Sequence, residues 1–286
     1  MKILVFGHDG QVATELRRQS GVIVEALGRD VADLMDPDRC AAHIAATDAD
    51  AVINAAAYTA VDKAESDPET ARLVNAVAPG VMAKAAAKRG LPFIHISTDY
   101  VFDGAGTAPF AVDHPTAPLG VYGQTKLDGE IAVQAAGGIF AILRTSWVVS
   151  AHGNNFVKTM LRLGAERDAL SIVADQVGGP TPAADIAATC ISVAKDLRKN
   201  YFKSGTYHLS AGPDISWADF ARAIFKTAGI NCDVTDISSE DYPTPAKRPL
   251  NSRLDNSLTE TTFGLPRREW TVGMAAILQE LGAYKS

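Results

Sequence analysis

Apolar residues gather in short runs separated by longer mixed stretches through most of the chain. The short runs are Lys2 to Phe6, Val22 to Leu27, Ala51 to Ile53, Pro92 to Ile96 and Ile139 to Arg144. Continuous apolar runs of this length suit strands buried on both faces of a parallel sheet. The mixed stretches read as helices: Thr14 to Ser20, a segment from Asp38, a long one from about Pro68 to Arg89, and the segment carrying Tyr122 and Lys126. Alternating strands and helices predict an α/β fold, a doubly wound parallel sheet of Rossmann type. Strands near Leu170 to Val173 and Thr206 to Leu209, with a helix from about Ala184 to Lys199 between them, are expected to complete the sheet. Shorter elements and a proline-rich loop, Asp241 to Pro249, follow.

The first strand runs directly into Gly7-His8-Asp9-Gly10-Gln11-Val12-Ala13. Strand, glycine turn and helix in that order let backbone N–H groups and the positive end of a helix meet a pyrophosphate. Gly7 suits the tight turn, Gly10 permits close approach of the backbone, and Ala13 allows helix and strand to pack closely. Gly7, Asp9, Gly10, Gln11 and Val12 are therefore cofactor-binding candidates. The second strand ends at Gly28-Arg29-Asp30, where the adenosine ribose lies in such folds. An acidic residue there accepts the ribose hydroxyls of NADH, whereas arginine favours the 2′-phosphate of NADPH. Arg29 preceding Asp30 tips the reading towards NADPH with dual use open, and Asp33 and Leu34 are placed beside the adenine. After the third strand, the small residues Ala55, Ala56 and Ala57, followed by Tyr58, let a cofactor lie close to the backbone. The expected division is a dinucleotide-binding part, residues 1–144 plus about 170–209, and a smaller α/β substrate part, about 145–169 plus 210–286.

Candidate proton chemistry sits further on. Tyr122 and Lys126 share a helix face. A unit charge about 4 Å from a phenol is worth roughly 4 kcal/mol at an effective dielectric of about 20, so Lys126 is expected to lower the Tyr122 pKa towards neutrality. Such a phenol can protonate the alkoxide formed when hydride reaches a ketone, with the Thr98 hydroxyl orienting the carbonyl. Thr98 lies at the carboxyl end of the fourth strand, in Ser97-Thr98-Asp99, and Thr145-Ser146-Trp147 at the end of the fifth. These segments converge on the crevice where open parallel sheets bind ligands.

Composition narrows the remaining possibilities. The 286 residues are 47% hydrophobic, yet no uninterrupted apolar run is long enough for a membrane span, and the short first strand is not expected to be a secretory leader. Three cysteines without paired spacing fit a reducing cytoplasm, and a net charge of −6 without a basic cluster makes nucleic acid and membranes unexpected partners. The six histidines lack the spacing of a metal site, so no metal ligand is assigned.

Taken together, these segments resemble the dTDP-4-dehydrorhamnose reductases, extended short-chain dehydrogenase/reductases. The resemblance rests on Gly7-x-x-Gly10-Gln11, Asn54 to Glu65, Ser97 to Gly104, Tyr122-x-x-x-Lys126 and Arg144-Thr145-Ser146-Trp147. Further matches are Asn154 to Leu161, Asp175-Gln176-x-Gly178-x-Pro180-Thr181 and Arg248-Pro249-x-Asn251-Ser252-Arg253-Leu254. It implies reduction of the 4-keto group of dTDP-4-dehydro-β-L-rhamnose by NADPH, with NADH admitted. Tyr122 would be the general acid, Lys126 would hold the nicotinamide ribose, and Thr98 would bond the carbonyl. Substrate-binding candidates are Thr98, Asp99, Tyr100, Val101, Phe102, Trp147, Asn155, Gln176, Thr181 and Arg248, the arginine being assigned to the diphosphate. Dehydratases of this superfamily carry Glu after Thr-Asp; here Tyr100 follows Asp99, which favours reduction alone. Another nucleotide-sugar reductase, an epimerase and a non-catalytic regulatory subunit of the same superfamily stay open, and the intact Thr98, Tyr122 and Lys126 speak against the last. A homodimer is admitted. Some relatives dimerise through magnesium held by carboxylates, one at the position of Glu15; the second position falls on Ala184, with Asp185 one place later, so a magnesium bridge is not assigned.

Overall fold

The computed structural model describes residues 1–285. The chain opens as β1 (Lys2–Phe6), α1 (Gln11–Arg18), β2 (Ile23–Leu27), α2 (Pro37–Ala46), β3 (Ala51–Asn54), α3 (Val61–Ala64), α4 (Pro68–Arg72) and α5 (Ala78–Lys88). It continues through β4 (Phe93–Thr98), α6 (Val121–Ala136), β5 (Phe140–Thr145), β6 (Val148–Val149), α7 (Phe156–Glu166), β7 (Ala169–Val173), β8 (Val177–Gly178), β9 (Thr181–Pro182), α8 (Ala183–Lys199) and β10 (Gly205–His208). The last part holds β11 (Ile215–Ser216), α9 (Trp217–Ala228), β12 (Asp233–Ile237), β13 (Asn251–Ser252), α10 (Ser257–Phe263) and α11 (Trp270–Glu280).

Six strands form one parallel sheet in the order β10-β5-β4-β3-β1-β2. The chain steps outward from β1 to β2, then crosses to β3 on the other side, so the winding reverses beside β1. The crevice at that reversal lies at the carboxyl ends of the strands, where such sheets take ligands. Helices cover both faces, which explains the unbroken apolar runs. Leu16 of α1 and Ile186, Cys190 and Leu197 of α8 pack on one face, and Cys40, Ile44, Met82, Ala86 and Val133 of α2, α5 and α6 on the other.

Several boundaries differ from the pattern-based expectation. Helix α1 begins at Gln11, on Gly10 as its cap, rather than near Thr14. The long helix after Pro68 is interrupted by a π turn, Leu73–Val77, a feature that often marks functional sites. Strand β7 does not join the main sheet; it pairs in parallel with β12 in a two-stranded ribbon. Its residues alternate between exposed and covered, with Leu170 packed among Met160, Phe220 and Ile224 of α7 and α9. A strand covered on one face only suits a ribbon on helices, and the sixth place of the main sheet goes to β10.

Candidate active site

At the amino end of α1 the backbone is shaped for an anion. Gly7 has φ of +112°, and a Cβ there would touch the Ala13 side chain and the Ala55 carbonyl at 3.4 Å. Gly10 caps α1 with no side-chain hydrogen bond, and a Cβ on it would meet nothing. Space is therefore open at the amino end of α1, which fits a dinucleotide pyrophosphate. Of the neighbours, Asp9 is exposed and bonds His8 Nδ1 at 2.7 Å, while Val12 packs into the core. Gln11 donates to the Val148 carbonyl at 3.4 Å and accepts from Asn155 at 3.0 Å.

Ala55, Ala56, Ala57 and Tyr58 follow β3 and are half-buried. Asn75, in the π turn, clamps this segment: its Oδ1 accepts from Tyr58 N–H at 2.9 Å, and its Nδ2 donates to the Tyr58 carbonyl at 3.1 Å and to Thr125 Oγ1 at 3.2 Å. At the end of β2 the Arg29 side chain is 77% exposed and pairs with Asp33 at 3.3 Å. Leu34 is buried among Leu4, Phe6 and Leu27, so its side chain is core rather than an adenine contact.

Thr98 ends β4 and caps the 3-10 turn Asp99–Val101. Its hydroxyl donates to Asp99 Oδ1 at 3.0 Å and accepts from Tyr100 N–H at 3.2 Å. The Tyr122 phenol lies beside the same Thr98 side chain, and its ring meets Tyr100 edge-on at 5.4 Å. What brings α6 this close is Gly123, where a Cβ would collide with the Tyr100 carbonyl. Burial raises the Asp99 carboxyl to about 6, with the nearby Ser252 and Thr98 hydroxyls opposing. Asp99 Oδ2 is buried without a partner.

The expected lowering of the phenol by Lys126 is not found. Burial pushes Tyr122 above its usual value, and the neighbouring Thr98 hydroxyl only partly offsets this. The reason is where Lys126 points: Nζ donates to the Ile96 carbonyl at 2.6 Å and lies 3.5 Å from His95 Nε2. Burial brings Lys126 itself down to about 8, with the Glu130 carboxylate opposing.

The remaining candidates divide between the crevice and the core. Val101 and Phe102 are fully buried with Phe110 and Leu254, so they support the site rather than line it. This corrects their assignment as substrate contacts. Arg248 reaches the Tyr100 hydroxyl at 3.4 Å, but its other nitrogen donates to Asp62 at 2.6 Å. The guanidinium is therefore tied to α3 and closes the proline-rich loop onto the site. Trp147 has φ of +49°, costly for a bulky residue, and stacks on Trp217 at 3.5 Å. Asn155 caps α7 by accepting from Lys158 N–H at 3.3 Å, Gln176 donates to Ser239 at 2.9 Å, and the buried Thr181 donates to the Gly179 carbonyl at 2.9 Å. These three are spent on internal bonds.

One of the residues considered for magnesium, Glu15, does lie in a cluster of ligand-type groups among the described residues, and Asp185 does not. Glu15, His152 and Glu280 bring three ligand-type atoms within 4.8 Å of one another. Arg18 already serves that cluster, 2.7 Å from Glu280 and 3.7 Å from Glu15. Asp185 is engaged elsewhere, with Arg268 at 2.8 Å. Arg18 brings one positive charge to the two carboxylates there, and no step of the reduction is routed through a metal.

Four participants escaped the sequence reading. Asn54 and His95 are neighbours across β3 and β4 in the buried sheet. Glu130 holds Arg144 through both carboxylate oxygens at 2.7 to 3.1 Å and accepts from Ser97 at 2.6 Å. The available signal was polarity out of place, a histidine and an arginine inside apolar strand runs, which a single sequence does not pair with a partner.

The family model described as RmlD substrate binding domain matches residues 1–283. A dTDP-4-dehydrorhamnose reductase of Sinorhizobium fredii is 45% identical over 278 residues, covering 94% of both chains. The solved dTDP-4-dehydrorhamnose reductase of Clostridium acetobutylicum is similar with a TM-score of 0.92 at 38% identity, covering 99% of this chain and 100% of that one. Its counterpart from Bacillus anthracis, solved in complex with NADP, has a TM-score of 0.91 at 32% identity, covering 98% and 99%.

Proposed function

This chain belongs to the RmlD substrate binding domain family, and from that premise we propose that it reduces the 4-keto group of dTDP-4-dehydro-β-L-rhamnose to give dTDP-β-L-rhamnose. The observation that carries the reading is the Tyr122 phenol packed against the Thr98–Tyr100 turn at the carboxyl end of β4, with Lys126 buried one turn along the same helix. NADPH, when bound, supplies the hydride. The α1 amino end with Gly7, Gly10 and Gln11, the Ala55 to Tyr58 segment, Arg29 and Lys126 would hold it. Thr98 turns its hydroxyl from Asp99 to the sugar carbonyl, and Tyr122 delivers a proton to the oxygen as it becomes an alkoxide. The raised phenol suits this direction: Tyr122 keeps its proton across the working pH range until a base as strong as an alkoxide forms. Arg248 and Trp147 line the substrate side, with the Asp62 pair to Arg248 holding the loop in place.

Residues 1–145 and about 183–209 form the dinucleotide part in this reading, and β7 goes with the C-terminal substrate part. No helix among the described residues is long and apolar enough to cross a membrane. Cytoplasmic action is the setting we assign, in keeping with three unpaired cysteines.

The deciding assay follows NADPH absorbance with a panel of 4-keto nucleotide sugars. The dTDP-linked 4-keto sugar should be consumed, and the free sugar only very poorly, because the remote nucleotide positions the ring. Silence with every sugar overturns the reading. In the same assay, Arg29→Ala should raise KM for NADPH more than for NADH, since only NADPH offers a 2′-phosphate to the guanidinium; equal effects would remove that role.

The pH profile carries a further expectation. Lys126 loses its charge as pH rises through about 8, whereas the raised Tyr122 stays protonated there. Catalytic efficiency towards NADPH should therefore fall on the alkaline side near pH 8, through weaker cofactor binding. A flat profile to pH 10 would separate the Lys126 charge from cofactor binding.

A further inference from the structure

The reductase chemistry leaves His95 unused, although it is fully buried beside Lys126. It stands opposite Asn54 in the β3–β4 register, and the two side chains lie on the sheet face that α6 covers. The Asn54 amide is oriented by its neighbour: Ala56 N–H donates to Asn54 Oδ1 at 3.2 Å. The NH2 end of that amide therefore faces the ring, with Nδ2 at 3.2 Å from His95 Nδ1. An NH2 group has no acceptor to offer. Nδ1 must then be the accepting nitrogen, and the neutral ring carries its proton on Nε2, 3.5 Å from Lys126 Nζ.

A ring N–H aimed at an ammonium sets donor against donor; aimed at a neutral amine, it donates to the lone pair. The imidazole thus favours the uncharged lysine, while the Ile96 carbonyl 2.6 Å from Nζ anchors the amine in either state. The other groups around Lys126 act differently. Glu130, one turn along α6, favours the ammonium and is itself held by Arg144 of β5 and Ser97 of β4. Tyr122, one turn earlier, stays neutral because burial raises its phenol. Burial, and then the Lys126 charge, keep His95 well below its usual value, so the ring is neutral at working pH.

We propose that His95 is a positioning residue: fixed by Asn54 as the Nε2–H tautomer, it balances Glu130 in setting the charge of Lys126 at the cofactor site. The proposal rests on the reductase reading for the role of Lys126, and its test uses NADPH affinity without any sugar. If the reductase reading alone fails, turnover is absent while the tautomer and the affinity profile stand.

In the unmutated protein, 15N NMR of the histidine rings should show His95 protonated at Nε2. NADPH affinity, read by fluorescence between pH 6 and 10, should weaken near the pH at which Lys126 discharges, about 8. His95→Leu removes the opposing donor and should move that weakening upward by about one pH unit. Asn54→Asp, which retains the acceptor for Ala56 N–H, should pull the ring proton to Nδ1, read in the same 15N spectra. His95→Gln keeps an NH2 group towards Nζ and should restore the original profile. A merely structural histidine would move stability but not the profile. An Nδ1–H ring in the unmutated protein, or one common pH dependence in the unmutated, His95→Leu and His95→Gln proteins, overturns the proposal. Should His95→Leu fail to fold, the ring tautomers of the unmutated and Asn54→Asp proteins still decide.

Discussion

Tyr122→Phe is expected to lower turnover by about two to four orders of magnitude, the range for a lost general acid, while NADPH binds almost as before. The phenyl ring fills the same space against Tyr100, so α6 and its contacts at Gly123 stay in place. What disappears is the proton held beside Thr98. Asp99 has the nearest acidic group, but its Oδ1 already accepts from Thr98 and it is ionised above about pH 6. Stopped-flow reduction with saturating sugar separates this from a binding defect. If the phenylalanine enzyme kept half its rate, Tyr122 would not be the proton donor.

Arg144→Met should be the most destabilising substitution near the site, at about 3 to 5 kcal/mol, because it leaves a buried carboxylate without its counter-charge. The Arg144 and Glu130 side chains are only 6% and 1% exposed, and the pair is bidentate. Arg144 also donates to the Val112 carbonyl at 3.0 Å and lies 5.1 Å above the Phe102 ring. A loss of that size is a large share of the roughly 5 to 15 kcal/mol that holds a typical fold together. Pairing it with Glu130→Leu should recover much of the loss, since an apolar pair of similar volume costs little where a lone buried charge costs a great deal. Denaturant midpoints of the two single variants and the double variant decide. A single variant within about 1 kcal/mol of the unmutated protein would mean that water reaches Glu130 despite its burial.

Both substitutions act on the same few residues between β4, β5 and α6, yet they are legible in the sequence to different degrees. Tyr122 and Lys126 announce themselves because helix geometry is local: residues four apart share a face wherever the helix sits. The glycine turn at Gly7 and the strand runs are likewise local statements, and the parallel sheet follows from their alternation. Arg144 and Glu130 carry no such signal, because their pairing depends on which strand α6 covers. Phe102 misled for a related reason: four positions after Thr98 in sequence, it turns inward onto Phe110, since the turn at Asp99–Val101 redirects the chain.

The amino-acid order by itself determined the βαβ alternation, the anion-binding turn at Gly7 to Gly10, and the nomination of Thr98, Tyr122 and Lys126, each resting on neighbours within a few residues. Tertiary structure alone decided that β7 leaves the main sheet for β12, that Arg248 is held by Asp62, and that Lys126 turns to Ile96 and His95 rather than lowering the Tyr122 phenol. Those outcomes depend on burial and on partners far away in sequence, 186 positions apart for Arg248 and Asp62. Electrostatic effects in the interior are set by what the fold brings near and what it excludes from water, and spacing along the chain carries neither quantity.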